Sequence, residues 1–357
     1  MPTIHRMISN ENPLGTSANV VAAIQEASHA LNWYPDRFDN PLQSKLADYH
    51  NNEPYDRDAY TRTLTADHFF AANGGLELLD MMVRTYVKQD DEVILCPPTF
   101  GWYKIPIGWA GGKVVNVPLK QDTFEHDVDA ILAAITERTR VIFLCNPNNP
   151  SGVILTADEM ARLVSGVPDH VIIFADEVYY QYVDRADFPD SIRHIQAGKK
   201  LILGYSASKA YGLAGLRLGY LLSSPALLEP ILHYRRPFTI GRMVIAAGCA
   251  ILDDTDFIQC SVALAHEGKH YFYEQFEPLQ QAGYLTYWQT QTNFILFRPT
   301  MPAQSLAAQF IVEQMEQRGI LVRHAIRDGL DDCIRITIGL PESNEAFMQA
   351  YHEILGE

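Results

Sequence analysis

No stretch of this chain runs to 18 apolar residues without a charge, and no apolar core leads to a small-residue cleavage site after Met1-Pro2-Thr3-Ile4-His5-Arg6-Met7. Neither a membrane span nor a secretory leader is therefore expected, and the expected location is the cytoplasm with no membrane partner. Cysteine is scarce: Cys96, Cys145, Cys249, Cys260 and Cys333 are odd in number, widely spaced and form no C-x-x-C. That speaks against a disulfide framework and a cysteine metal centre, so no metal is expected. Basic charge is short as well, with 28 Lys and Arg against 43 Asp and Glu and a formal net charge of −15. A protein that neutralises a phosphate backbone needs the opposite balance, so nucleic acid is not an expected partner. Low-complexity tracts and repeats are missing, and no strand leads into G-x-G-x-x-G or a P-loop. An acidic protein can still bind an anionic ligand, provided it gathers Arg, Lys and backbone N–H groups locally.

What is present is ordinary globular composition, 47% hydrophobic over 357 residues, long enough for a large domain and a smaller one. A helical pattern starts near Ser17 and continues through Val20, Val21, Ile24 and Ala27 on one face. From about residue 70 short apolar runs alternate with helical stretches. The expected strands are Glu92 to Cys96, Lys113 to Val117, Arg140 to Cys145, His170 to Ala175, Lys200 to Tyr205 and Leu216 to Leu222. Runs apolar throughout and bounded by Gly, Pro, Asn and Asp indicate a buried, mostly parallel sheet, hence an α/β fold. A long helical region over 242 to 282, a strand Thr292 to Phe297, a helix near 303 to 318, a strand Ile334 to Ile338 and a helix from Ser343 read as a smaller α+β domain. The expected division is 1–35 as an N-terminal segment belonging with the small domain, 36–235 as the large domain, and 236–357 as a connecting helix and the small domain.

In open parallel sheets ligands sit beyond the carboxyl ends of the strands, and here those ends are chemically loaded. Lys209 follows the apolar run Leu201 to Leu203. Asp176 closes Val171 to Ala175, where a buried carboxylate needs a partner, although it also suits a helix N-cap. Asn149 lies in Asn146-Pro147-Asn148-Asn149-Pro150-Ser151-Gly152, a turn held by two prolines. Asn73-Gly74-Gly75-Leu76-Glu77 leads into a helical pattern, and the N–H groups of Gly74, Gly75 and Leu76 suit a phosphate. Phe100 and Trp102 are candidate stacking rings or core residues. Arg335, in an apolar alternation, suits a paired charge, a ligand contact or a solvent-facing strand position.

The run Ser206-Ala207-Ser208-Lys209-Ala210-Tyr211-Gly212-Leu213-Ala214-Gly215-Leu216-Arg217-Leu218-Gly219 matches S-x-S-K-x-x-G-L-x-G-x-R-x-G at each defined position. With Asp176-Glu177-Val178-Tyr179, the Asn149 turn, Asn10-Glu11-Asn12-Pro13, Tyr34-Pro35-Asp36 and Arg335-Ile336-Thr337-Ile338-Gly339, it resembles the fold-type I class I/II aminotransferases, closest to the histidinol-phosphate aminotransferase branch. The resemblance implies pyridoxal 5′-phosphate (PLP) as cofactor and Lys209 as the imine-forming lysine. It further implies Asp176 at the pyridine nitrogen, Tyr179 and Asn149 at the phenolate oxygen and Phe100 on the ring face. Gly74, Gly75, Leu76, Ser206 and Arg217 would sit at the phosphate, joined by Tyr34 from the neighbouring subunit of a homodimer. Arg335, Arg323 and Asn12 would serve the substrate. The implied activity moves an amino group from a small-molecule donor, histidinol phosphate first, to a 2-oxo acid such as 2-oxoglutarate.

Two features widen that reading. The branch often carries P-F-N-[VI]-N after an arginine, whereas this chain has Arg236-Pro237-Phe238-Thr239-Ile240-Gly241, so an aromatic or other amino acid is an alternative donor, with Arg242 offering different anion recognition. A decarboxylase of the threonine-phosphate type would use the same first-contact residues. Separately, His266-Glu267-Gly268-Lys269-His270 fits H-E-x-x-H, but names no third ligand and carries a helix-weakening glycine, so zinc is not expected.

Overall fold

The computed structural model describes residues 4–35, 41–53, 61–300 and 307–356. Among these the central sheet has seven strands, in the order Phe69–Ala72, Gly219–Leu222, Leu201–Ser206, Ile172–Asp176, Thr139–Cys145, Glu92–Leu95 and Lys113–Asn116. The last five pair in parallel, and Gly219–Leu222 runs antiparallel to both neighbours. The inner strands are mostly apolar because both sheet faces are covered, whereas the edge strand Lys113–Asn116 has exposed polar ends. Ile142, Leu144, Ile173 and Ala175 enter one core cluster, while Val141, Phe143, Ile172 and Phe174 enter the other. Successive residues alternate between faces, so each side of the sheet is fed by every strand.

The sheet departs from expectation at its margin. Phe69–Ala72 was not among the expected strands: four apolar residues before Asn73 give too short a signal to separate strand from helix start. Leu216 and Arg217 do not belong to the last strand, because Ala214–Leu216 forms a 3₁₀ turn and Arg217 adopts the left-handed region at φ 57°.

A second sheet is antiparallel, in the order Arg323–His324, Ile334–Thr337, Phe294–Pro299 and Leu285–Tyr287. Its core combines Ile295, Phe297, Ile334 and Ile336 with Phe272 and Phe276 of the helix Thr255–Gln281 and with Phe347 and Tyr351 of the helix Pro341–Leu355. The N-terminal strand His5–Arg6 pairs in parallel with Ile320–Leu321, which fastens the arm to this half of the molecule.

The expected helix over 242–282 is two helices, Arg242–Asp253 and Thr255–Gln281. They part at Asp254, whose carboxylate accepts from Phe257 N–H and, across the chain, from Ser17 and Asn19. An aspartate at an N-cap stabilises a helix start by about 1 kcal/mol, enough to favour a break inside an otherwise continuous pattern. The helix expected near 303–318 is seen as Ala307–Gln317, its expected start lying outside the described residues, as does Asp36 of the Tyr34 motif. The last helix begins at Pro341, two residues earlier than expected, with proline in its first turn.

Gly268 does not break its helix. A Cβ there would lie 2.3 Å from Ile338 Cγ2, so glycine permits close packing between the long helix and the second sheet. His266 Nε2 lies 2.9 Å from the Tyr182 carbonyl, and Lys269 pairs with Asp184. Among the described residues no group of three His, Cys, Asp or Glu side chains is arranged to hold a metal, and no helix is long and apolar enough to cross a membrane.

Candidate active site

The strands ending at Cys145, Asp176 and Ser206 are adjacent and parallel, and a cavity of about 730 Å³ opens at their carboxyl ends. Asp176, the last residue of its strand, accepts a 2.6 Å hydrogen bond from the Tyr103 hydroxyl, with Val178 N–H at 3.4 Å from its other oxygen. Burial pushes its carboxyl up to about 6, outweighing the Tyr103 and Val178 bonds and the charge of Lys209. A cationic N–H in the cavity would reverse that balance. Tyr103 was not anticipated; it is fully buried and meets Phe100 edge to face at 5.3 Å, while Phe100 and Trp102 both line the cavity.

Lys209 sits in the loop that joins Leu201–Ser206 to its antiparallel neighbour. The two ends of the loop are tied to each other beside the sheet, since Ala207 N–H donates to Leu218 O, and Leu213 N–H returns to Ala207 O. At the loop's tip Gly212 has φ 69° and presses on the arm, where a Cβ would stand 2.4 Å from Gly15 O. The Lys209 amine donates to Ser9 O at 3.1 Å and lies 5.7 Å from the Tyr179 ring centre. Desolvation, then the neighbouring Arg335 and Arg217 charges, bring it down to about 7 against the pull of Glu11 and Asp176. An amine so placed is neutral in a large share of molecules at neutral pH, as a nucleophile or proton carrier must be.

Opposite lies an anion cradle. The helix Gly74–Tyr86 begins without a side-chain cap, and Gly75 and Leu76 of its first turn line the cavity. Gly74 itself is the turn residue, at φ 77°, and a Cβ on it would stand 2.7 Å from Arg217 Nη2. Gly219 permits the same close approach, since its Cβ would be 2.8 Å from Gly75 N. Ser206 Oγ donates to Ser208 Oγ at 3.0 Å, and Arg217 Nη1 reaches Ala214 O at 3.0 Å and Ser208 Oγ at 3.5 Å. Helix N–H groups, two hydroxyls and a guanidinium packed onto glycine are the donor set that a phosphate monoester requires.

Arg335 approaches from the second sheet and is 8% exposed. It donates to Asn149 Oδ1 at 2.6 Å and to Ile8 O at 3.0 Å, while its Nε has no partner. Both hydrogen-bond partners are neutral, which leaves a buried cation facing a cavity that Arg323, Arg327 and Asp328 also line. Burial pushes the Asp328 carboxyl up, against the Arg335 and Arg323 charges. Tyr179 is enclosed by Arg335, Asn10 and Asn149; Asn149 Nδ2 lies 3.5 Å from its hydroxyl and Asn10 Nδ2 only 2.9 Å.

Of the expected residues, Asn12 and Arg242 lie outside the cavity, and Tyr34, expected at the neighbouring subunit's phosphate, does not line this chain's own. Asn12, expected at the substrate, donates to Ala210 O at 3.1 Å and Ser261 Oγ at 2.7 Å, and accepts from Leu14 N–H, so its amide is satisfied by protein. The chain turns at Asn10, where φ is 55°, and it is Asn10 that enters the cavity. Tyr34 is 77% exposed, stacks on Phe238 at 4.6 Å and does not line the cavity within one chain. Arg242 donates to the Tyr34 carbonyl at 2.8 Å and is likewise outside the cavity.

The sequence profile of the family described as aminotransferase class I and II matches residues 3–350. The chain is 35% identical over 353 residues to a histidinol-phosphate aminotransferase of Moorella thermoacetica, covering 98% of this chain and 85% of that protein. It is 33% identical over 357 residues to one of Halalkalibacterium halodurans, covering 100% and 90%. A solved structure of a histidinol-phosphate aminotransferase from Sinorhizobium meliloti in complex with pyridoxal-5′-phosphate shares the fold, with a TM-score of 0.85 at 24% identity over 99% of this chain and 91% of that one.

Proposed function

The chain belongs to the class I and II aminotransferases, and from that premise we propose that it transfers the amino group of histidinol phosphate to a 2-oxo acid, 2-oxoglutarate first, using pyridoxal 5′-phosphate. The observation that carries this reading is one cavity shared by an amine brought down to about 7, a buried carboxylate, an uncapped helix start with Arg217, and a buried arginine whose hydrogen-bond partners among the described residues are neutral. These residues fit the cofactor: the helix N-terminus and Arg217, packed on Gly74, match a phosphate, and Asp176 is a buried carboxylate that lines the cavity and suits a cationic ring nitrogen. When bound, the cofactor supplies an electron sink for the substrate carbon that loses its proton.

The residues divide the work. Gly75 and Leu76 N–H, Ser206 and Arg217 hold the phosphate, with Gly74 shaping the turn. Asp176, oriented by Tyr103, keeps the ring nitrogen charged. Tyr179 and Asn149 hydrogen-bond the ring oxygen, and Phe100 covers a ring face. Lys209 anchors the cofactor and moves the proton at the substrate carbon. Arg335 and Arg323 bind the acidic end of either substrate, a phosphate ester in the donor and a carboxylate in the acceptor. A homodimer would bring Tyr34 to the neighbouring subunit's phosphate; the exposed Leu31, Trp33, Tyr34 and Phe238 support such an interface. We assign residues 1–35 and 236–357 to the small domain with its connecting helix, residues 36–235 to the large domain, and the protein to the cytoplasm.

The test is a single-turnover absorbance change of the loaded enzyme with a panel of donors. Histidinol phosphate should bleach the cofactor band, and 2-oxoglutarate should restore it. Turnover of phenylalanine but not histidinol phosphate overturns the donor assignment, and release of CO₂ from threonine phosphate overturns transamination. The phenylalanine arm is included because Phe100, Trp102 and Ile105 give the cavity an apolar wall.

A further inference from the structure

Three consecutive residues of the N-terminal arm each touch a different reactive group. Ile8 O accepts from Arg335 Nη2 at 3.0 Å, Ser9 O accepts from the Lys209 amine at 3.1 Å, and Asn10 Nδ2 donates to the Tyr179 hydroxyl at 2.9 Å. Asn10 is 1% exposed and holds φ 55°, a left-handed conformation that asparagine tolerates better than most residues. It is pinned on three sides. Its N–H donates to Thr337 Oγ1 at 2.8 Å, its Oδ1 accepts from the same hydroxyl at 3.2 Å, and its carbonyl accepts from Asn293 Nδ2 at 3.1 Å.

That arrangement decides which way the amide faces. Because Thr337 Oγ1 already accepts from the Asn10 main chain, its own proton must go to an acceptor, which puts Asn10 Oδ1 on the threonine and the NH₂ on Tyr179. An amide NH₂ can only donate. The phenol oxygen must therefore accept from Asn10, and its own O–H is left free to point into the cavity.

We propose that Asn10 is a positioning residue that directs the Tyr179 hydroxyl proton toward the cofactor's ring oxygen, and that the Ile8–Asn10 strap holds Tyr179, Lys209 and the Arg335 strand in one register. The inference rests on the role of Tyr179 given above. A donor to the ring oxygen stabilises the form of the bound cofactor that has lost its linkage proton. Losing that donor raises the pH midpoint of the cofactor's absorbance change. The charged and titratable groups around the phenol are Arg335 from the second sheet, Lys209 from its loop, and Asp176 and Cys145 from the central strands. None of them is altered by a change at Asn10.

The experiment is a spectrophotometric pH titration of the loaded enzyme carrying Asn10→Asp, Asn10→Gly, Tyr179→Phe, and each Asn10 change combined with Tyr179→Phe. Asn10→Asp replaces the donor by an acceptor of the same shape, so the phenol proton turns to residue 10 and the midpoint rises by about one pH unit, close to the shift in Tyr179→Phe. Asn10→Gly keeps the left-handed backbone and guards against a folding defect of the aspartate variant; it gives a smaller rise. On the Tyr179→Phe background Asn10→Gly should not move the midpoint further, and Asn10→Asp should move it less than in the presence of the hydroxyl, by the part owed to its added charge alone, a coupling that general loosening of the arm would not produce. The inference is overturned if both Asn10 variants keep the wild-type midpoint, or shift it equally with and without the tyrosine hydroxyl. If Tyr179→Phe itself leaves the midpoint unmoved, the role assigned to Tyr179 fails instead.

Discussion

The depressed proton affinity of Lys209 has a kinetic signature in the cofactor-free protein. An amine at its ordinary 10.5 would be neutral to about 0.003 at pH 8, whereas one at about 7 is neutral to about 0.9, a difference of roughly 300-fold. Attachment of the aldehyde cofactor requires the neutral amine, so the second-order rate of reconstitution should climb through a midpoint near pH 7 and level off above pH 8. Below about pH 6 the Asp176 carboxyl also takes up a proton, and the limb should steepen there. The causes of the shift can be separated. After desolvation the largest contributor is the Arg335 charge, which lowers the amine, and next is Glu11, which raises it. Arg335→Met should therefore move the midpoint up and Glu11→Gln should move it down. Stopped-flow absorbance between pH 5.5 and 9.5, with Lys209→Ala as the blank, provides the measurement. A midpoint at 9 or above, or two substitutions moving it in the same direction, would refute the electrostatic account.

Other outcomes follow from packing and burial. Gly74→Ala places a Cβ 2.7 Å from Arg217 Nη2 on a residue at φ 77°; we expect a cofactor dissociation constant raised at least tenfold, read by equilibrium dialysis, with about 1–3 kcal/mol lost from stability. Gly268→Ala drives a Cβ to 2.3 Å from Ile338 Cγ2 and should lower stability by about 1–3 kcal/mol in urea melts while leaving cofactor affinity near wild type. Glu177, held by Ser191 and Tyr205, is pushed by burial from 4.5 up to about 8. Between those values the unfolded chain binds fewer protons than the native one, so stability falls as pH rises, with a slope approaching 1.4 kcal/mol per pH unit by order of magnitude. Glu177→Gln should flatten that slope over the same window in melts from pH 4.5 to 8, and an unchanged slope would remove Glu177 as its source.

The fold was legible where the signal is local. Continuous apolar runs ending in Cys145, Asp176 and near Ser206 announce buried parallel strands, and a loop rule then locates a cavity at their ends. Lys209, Asp176 and Asn149 could be named because each stands at such an end. What escaped was set by distance along the chain. Tyr103 meets Asp176 from 73 residues away and Asn10 meets Tyr179 from 169, and no periodicity reports a partner at that separation. Asn12 was favoured over Asn10 for the same reason: a left-handed turn decides which of two neighbouring amides enters the cavity, and asparagine is compatible with either fate. The break at Asp254 is a different case. Its capping chemistry was present in the sequence, but the apolar face continues across it and masks it.

The arm has a consequence for how the molecule is made. Its fastening threonine lies 327 residues downstream of Asn10, whereas the cradle and the lysine loop are complete by Gly219. During synthesis the segments that form the cradle therefore emerge long before the anchor of Asn10 does. Residues 8–10 are thus made before the lysine loop yet reach their native places after it, and a chain stalled before residue 337 would lack the clasp.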